Sequence, residues 1–203
     1  IGYAYTRPRK RDDPLVPGVE FRPVRFDARP EIHRGDDLVD TGFINTQQYQ
    51  IVDAELAIVR GPGSIQGELV WTNVDRIGEG PVDLYGAYVN FSYFLTGEHR
   101  PYNRTSATFG RVIPYENFWI VRTPSGTRSG WGAWEVTARW SYIDFSQVNG
   151  QHLNDLTVGW NWYWNPHTRM MFNWIHPFAH RSPVATDLNA QGDVIAMRLQ
   201  VEF

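Results

Sequence analysis

The closing stretch DVIAMRLQVEF, residues 193–203, alternates without a break. Ile195, Met197, Leu199, Val201 and Phe203 fall on one face, and Ala196, Arg198, Gln200 and Glu202 on the other. Period-2 alternation of this kind makes a strand with one apolar and one polar side. In a half-buried sheet such a strand is ordinary, but one that ends the chain on an aromatic has the form of the closing strand of a transmembrane β-barrel.

The same rhythm recurs upstream. Over 84–95, Tyr85, Ala87, Val89, Phe91, Tyr93 and Leu95 oppose Gly86, Tyr88, Asn90 and Ser92. Over 131–144, Trp134, Val136, Ala138, Trp140 and Tyr142 oppose Glu135, Thr137, Arg139 and Ser141. Over 152–165 the apolar set is Leu156, Val158, Trp160, Trp162 and Trp164, against Asp155, Thr157, Gly159, Asn161 and Tyr163. A strand over 169–178 carries Met170, Phe172 and Trp174 and joins its predecessor through the turn Asn165-Pro166-His167-Thr168. Strands over 50–59 and 64–74 flank Gly61-Pro62-Gly63, with Val52, Ala54, Leu56, Ile58, Ile65, Leu69 and Trp71 on their apolar faces. Residues 21–29 read as one more strand, Val24, Phe26 and Ala28 against Arg25, Asp27 and Arg29, and 1–5 as the stub of another.

Composition agrees with this pattern. Nine Trp, ten Tyr and eleven Phe make the chain 15% aromatic, yet the mean hydropathy is negative, as expected when apolar residues are spread singly along strands. No apolar run is long enough for a transmembrane helix, and a barrel leaves none to find. At 203 residues the chain has room for roughly 8 to 10 barrel strands at about 20 to 25 residues each. With no cysteine there is neither a disulfide framework nor a thiolate metal site. A net charge of −3 leaves no footprint for nucleic acid. The basic residues are Arg except Lys10; genome base composition is the plainer account, selection for bidentate anion contacts the sharper one. The chain opens at Ile1 without a charged or apolar leader, so the expectation is that a signal segment is removed or lies upstream.

Two segments break the rhythm. Residues 6–20 contain TRPRKRDDP and read as a charged loop, and 97–130 is long, rich in Pro, Gly and Arg, and poorly alternating. So long a structureless stretch is unusual in a compact fold. It either folds into a lumen or hides a strand near 108–120.

Several motifs in order resemble the phosphate-selective porin O and P family: ARPEIHRGDDLVDTG (28–42), GPGSIQGEL (61–69), FLTGEHRPYNR (94–104), FGRVIP (109–114), GAWEVTARWSYIDF (132–145), LTVGWNWYWNPHTRMMFNWIH (156–176) and MRLQVEF (197–203). The resemblance covers about residues 21–203. It implies an all-β fold, an antiparallel transmembrane β-barrel of 16 strands, assembled as a trimer in the outer membrane of a Gram-negative-type bacterium. About 8 to 9 of those strands fall in this chain. The chain matches the carboxy-terminal half, so residues 1–203 are expected to be a single barrel domain or part of one. The partners implied are the lipid bilayer with its lipopolysaccharide-type outer leaflet, two further copies in a homotrimer, and the outer-membrane assembly machinery, engaged through the C-terminal strand. A small barrel closed on 8 strands is the alternative; its interior would be filled by side chains.

The activity implied is passive diffusion of small hydrophilic solutes, with anion or phosphate preference. Such a channel needs charges along a wet passage rather than catalytic groups. On the derived faces the lumen set is Arg25, Asp27, Arg29, Asp53, Glu55, Gln66, Glu68, Glu135, Arg139, Arg198 and Glu202. The plain reading pairs Glu135 with Arg139 and Arg198 with Glu202 as ion pairs that stiffen the wall. The functional reading makes Arg25, Arg29, Arg139 and Arg198 an arginine track for anions. Arg100, Arg104 and Arg111 join it if the irregular segment enters the pore; otherwise they are solvated. The family's specificity is associated with lysines as well as arginines, and this chain offers only Lys10.

Trp134, Trp140, Trp160, Trp162, Trp164 and Trp174, with Phe203, suit membrane-girdle positions, where amphipathic rings meet the headgroups. Trimer contacts are a second reading of the tryptophans. The third belongs to the rival from another class, a soluble Trp-rich β-sandwich that stacks glycans on them. His33, His99, His152, His167, His176 and His180 show no metal spacing beyond the last two, which are four apart on a strand end. No cofactor is expected, and no Gly-x-Ser-x-Gly, HExxH or P-loop supports an enzyme.

Overall fold

The alternating segments pair with one another in chain order. The computed structural model describes residues 1–12, 20–31, 37–106, 108–124, 126–180 and 192–202. Eight strands form one antiparallel sheet: β1 (Gly2–Thr6), β2 (Ile44–Arg60), β3 (Gly63–Arg76), β4 (Val82–Phe94), β5 (Ala133–Phe145), β6 (Gln151–Asn165), β7 (Thr168–His180) and β8 (Val194–Val201). A two-residue strand, Pro23–Val24, also pairs with β2 at Ile44 and Asn45. β2 to β7 run 13 to 17 residues, more than the roughly 9–11 needed to cross a bilayer at a tilt. Among the described residues β1 pairs only with β2 and β8 only with β7, so the sheet does not close on itself as an eight-stranded barrel would.

Register keeps every apolar face on the same side. One row runs Ile58, Ile65, Phe91, Ala138, Val158, Trp174, Ile195 across seven strands without a polar member. A one-residue slip in any strand would turn its apolar set to the other face. Tight turns help to fix the register: Gly61 takes the left-handed φ of 56° at the β2–β3 turn. At the β6–β7 turn the His167 amide donates to Asn165 Oδ1 at 2.8 Å. Between β5 and β6 a helical turn, Ser146–Asn149, ends on Gly150 at φ 77°.

Burial is inverted relative to a water-soluble sheet. On β6 the polar inner residues Asp155 and Thr157 are 3% and 5% exposed, while the outer Leu156 and Val158 are 37% and 46% exposed. Leu56, Leu69, Phe91, Met197 and Leu199 are likewise exposed on the outer face. The inner face is covered by two connections that enter from opposite ends. Leu38 and Val39, from the β1–β2 connection, pack on Val74, Val82, Leu84, Phe145 and Leu153. Val112, from the β4–β5 connection, packs on Phe94, Ala133 and Tyr163.

One expectation changes. Residues 21–29 are not a wall strand of their own. Beyond the short Pro23–Val24 pairing, Asp27–Ala28 pairs with Val39–Asp40 in a small hairpin, and Phe26 and Ala28 pack against the inner core. Pro23 and Pro30 lack the N–H a central strand must donate, which explains the departure from the alternation. The 97–130 segment holds no wall strand near 108–120; it forms two small hairpins, Tyr102–Asn103 with Thr108–Phe109 and Trp119–Thr123 with Gly126–Gly130.

Candidate functional site

The inner face gathers the charges, but the pairs differ from those expected along single strands. Glu135, fully buried on β5, accepts from Arg100 Nε at 2.7 Å and from a second guanidinium nitrogen at 2.9 Å. Asn161 Nδ2 and the Tyr163 hydroxyl also donate to it, at 2.8 and 2.9 Å. Arg139 does not pair with Glu135; its Nε lies 2.7 Å from Glu31 Oε1, and its guanidinium carbon sits 4.2 Å from the centre of the Tyr88 ring. The i, i+4 spacing that suggested a pair spans about 13 Å along a strand, beyond side-chain contact. Glu202 accepts from Gln200 at 2.6 Å and lies 3.6 Å from Arg111, rather than pairing with Arg198, which is exposed.

Arg25 and Arg29 sit in the folded-in β1–β2 connection. Arg25 reaches Asp40 at 2.9 Å and Asp37 at 3.2 Å, and Arg29 reaches Asp37 at 2.7 Å. Hydrogen bonds donated to these carboxylates hold both guanidiniums above their ordinary pKa, and the bond from Arg25 holds Asp40 below its own. Burial opposes the Arg100 charge, but the bond to Glu135 overrides it and leaves Arg100 raised. Glu55 and Glu68 face each other across β2 and β3. Arg104 is exposed on its hairpin.

A cavity of about 410 Å³ opens where the β4–β5 connection meets the β6–β7 turn and the end of β8. Arg100, Arg111, Arg169, His167 and Glu202 line it. Arg111 approaches His167 Nδ1 at 3.2 Å, and Arg169 donates to Gln200 Oε1 at 2.9 Å. Three guanidiniums line it against one carboxylate, Glu202, with Arg100 further paired to Glu135 behind the wall. Arg169 was missing from the expected lumen set, although its position opposite Met170 on an alternating strand already turned it inward. Glu31 was missed because it lies on a connection, where alternation is silent.

The tryptophans lie on the outer side. Trp134 and Trp162 stack at 4.9 Å and both indoles donate to the Trp131 carbonyl, at 3.1 and 2.8 Å. Phe118 packs on Trp162 and Trp164 at the same end. Further along the strands Trp160 stacks on Phe172, Trp174 on His176 and Trp140 on Tyr142. Phe203, His33 and the His180 side chain lie outside the described residues, among which no group of three His, Asp or Glu is placed to hold a metal ion.

Comparison with known proteins adds two findings. An uncharacterized protein of Caulobacter vibrioides is 23% identical over 185 residues, which cover 89% of this chain and 36% of that protein. The chain thus spans about a third of the length of the curated relative it matches. The family profile described as Phosphate-selective porin O and P matches residues 2–203, and the chain belongs to that family.

Proposed function

We propose that this chain forms half the wall of an outer-membrane β-barrel channel that passes small hydrophilic solutes and prefers anions. The inverted burial carries the reading: apolar side chains face outward and exposed, while charged and polar ones face inward under folded-in connections. Moving about half of a Leu or Phe side chain from water to hydrocarbon contributes roughly 1 kcal/mol. Among the described residues nineteen on the outer face of the strands are exposed in this way, so immersion in a bilayer is worth on the order of 10–20 kcal/mol. A soluble glycan-binding sandwich would need a second sheet over that face, and none lies there among the described residues.

In this reading the eight strands are half of a sixteen-stranded barrel in a homotrimer. The C-terminal strand, with Phe203, is what the assembly machinery engages. The β2–β3 and β6–β7 turns and the 95–132 connection lie at the periplasmic mouth, and the 7–43 connection, with the β3–β4 and β5–β6 turns, at the outer mouth, facing the lipopolysaccharide leaflet. Trp134 and Trp140, six residues apart, are separated by about 20 Å along β5, about 15 Å along the normal at a tilt of roughly 40°, less than the roughly 25 Å apolar band, so the two do not mark opposite headgroup levels. The selectivity-setting groups are Arg111 and Arg169, supported by Arg100; Glu55, Glu68, Arg104 and Arg198 line the wider path, with Arg25, Arg29 and Arg139 on the folded-in side. With Lys10 the lone lysine, anion preference rests on guanidinium groups, and phosphate is one substrate among small oxyanions.

Reversal potentials of the full-length protein in planar bilayers under a salt gradient test the proposal. Chloride is expected to carry most of the current, and Arg111→Ala with Arg169→Ala to shift the potential toward the cation limit. A current carried mostly by cations would sink it. Deleting Phe203 is expected to lower the amount of heat-modifiable, SDS-resistant trimer.

A further inference from the structure

The inner face holds a second pocket, of about 320 Å³, between the 28–31 segment and the middle of β3 to β6. Its character is opposite to that of the arginine-lined cavity. Asp155 is 3% exposed, and its Oδ1 has no hydrogen-bond partner although the residue lines this space. A carboxylate withdrawn from water without a partner is costly, and either a proton or a cationic donor placed against Oδ1 relieves that cost. The neighbouring cations are committed elsewhere. Arg139 lines the same space; it lies at ion-pair distance from Glu31 and over the Tyr88 ring, although its Nε makes no aligned hydrogen bond, and Arg29 is bound to Asp37.

Glu31 is committed as well, accepting from Ser141 Oγ at 2.9 Å and from Thr157 Oγ1 at 2.6 Å. Counting the Glu31–Arg139 pair as neutral leaves Asp155 and Glu68 as uncompensated negative charge on the wall. They lie on one register row, Glu68, Tyr88, Ser141, Asp155, three strand spacings or about 14 Å apart, so Asp155 is the contact group and Glu68 adds only to the field. The rest of the lining is mixed: Arg29, Arg139, Ser141 and Tyr142 stand beside an aliphatic patch of Ala28, Val70, Ile143 and Leu153. A bare metal ion would waste that surface, and no three carboxylate or imidazole groups among the described residues are placed to ligate one. A primary ammonium on a short alkyl chain uses both parts: its N–H donors meet Asp155 and its chain meets the aliphatic wall. The volume has room for roughly ten water-sized groups.

We propose that the pocket bounded by Asp155, Glu68, Glu31 and Tyr88 is a binding subsite for the ammonium group of a small aliphatic amine, distinct from the anion path. It rests on the reading that this face lines an aqueous lumen, through which the amine arrives. In a channel with an arginine-lined mouth, such a site gives a solute carrying both charges a place for each.

Isothermal titration of ethylammonium chloride into the full-length protein in detergent, at constant ionic strength, tests the site without needing conductance. Saturable binding is expected for the wild type and about tenfold weaker binding for Asp155→Asn, the scale of one hydrogen bond to a charged group. Tetramethylammonium, which has charge but no N–H, is expected not to saturate. Where Asp155→Asn fails to give heat-modifiable protein, Glu68→Gln is expected to weaken binding by a smaller factor with the fold intact. No saturable binding, equal binding by wild type and variants, or equal binding of tetramethylammonium overturns the proposal. Absence of conductance in KCl with the titration intact would count against the channel and leave the subsite standing.

Discussion

Replacing Arg100 by alanine asks whether the β4–β5 connection is locked to the wall or only rests on it. Glu135 is fully buried and takes two bonds from Arg100, one from Asn161 and one from Tyr163. Without the guanidinium, Oε1 loses its donor while Oε2 keeps two. Removing one partner of a buried pair costs about 3–5 kcal/mol, and the retained donors put this case near 3 kcal/mol. That cost falls on the docked state of the connection, because Arg100 takes no part in the strand ladders. At about 1.4 kcal/mol per decade, the undocked population should rise roughly 150-fold. Trypsin cleavage after Arg104 and Arg111 in the reconstituted full-length protein reads that population, since cleavage follows the open fraction when reclosing is fast. Adding Glu135→Gln removes the orphaned charge and is expected to recover most of the loss. Equal cleavage of wild type and Arg100→Ala, or single effects that simply add to within about 0.5 kcal/mol in the double variant, would refute the lock.

Acid should release the other connection. The Arg25 bond holds the Asp40 carboxyl below its ordinary value of 3.8, so this contribution is present above that value and lost as pH falls through the depressed one. Exchange protection of the Leu38 and Thr41 amides, which donate to Ala28 and Phe26, should hold from pH 8 to about 5 and decline below about 4. A decline beginning near neutrality, or one unchanged in Arg25→Ala, would contradict this. Gly159→Ala should block folding more than its size suggests, because a Cβ there would lie 2.5 Å from the Phe172 carbonyl oxygen and closer still to Asn173 Oδ1. Normal yields of heat-modifiable Gly159→Ala protein would mean that β6 and β7 can separate to admit it. Phe118→Ala should increase indole quenching by acrylamide, since Phe118 packs on Trp162 and Trp164; an unchanged quenching constant would show that its ring does not shield them.

How much was legible in the sequence follows from which forces alternate along a strand. Outer faces were read residue by residue, because each outward position must be apolar and each strand supplies its own test. The row from Ile58 to Ile195 needed only in-register pairing of seven such strands. Inner faces were less legible, since they answer to connections that cross them. Leu84 and Phe145 face inward yet are apolar, because Leu38 and Val39 cover them. Glu135 looked like a partner for Arg139 because they share a face four residues apart, a spacing that brings side chains together on a helix and not on a strand. Its true partner, Arg100, lies 35 residues away on a segment without periodicity.

The pairing pattern gives the two connections unequal roles. The 97–118 segment brings a guanidinium to a buried wall carboxylate and leaves Arg111 and Arg169 facing a cavity, so docking it adds positive charge to one end of the inner face. The 21–42 segment brings Glu31 to Arg139, which neutralises the one arginine among the predicted lumen charges of β5. Docking there removes positive charge from the middle and leaves Asp155 uncompensated. A wall that is nearly balanced as a strand sequence thus becomes polarised along its length only when both connections are in place. Glu31→Gln, which frees Arg139, should therefore raise anion preference, whereas Arg100→Ala, which undocks the other connection, should lower it. Reversal potentials that move the same way in both variants would show that the connections do not set the charge along the path.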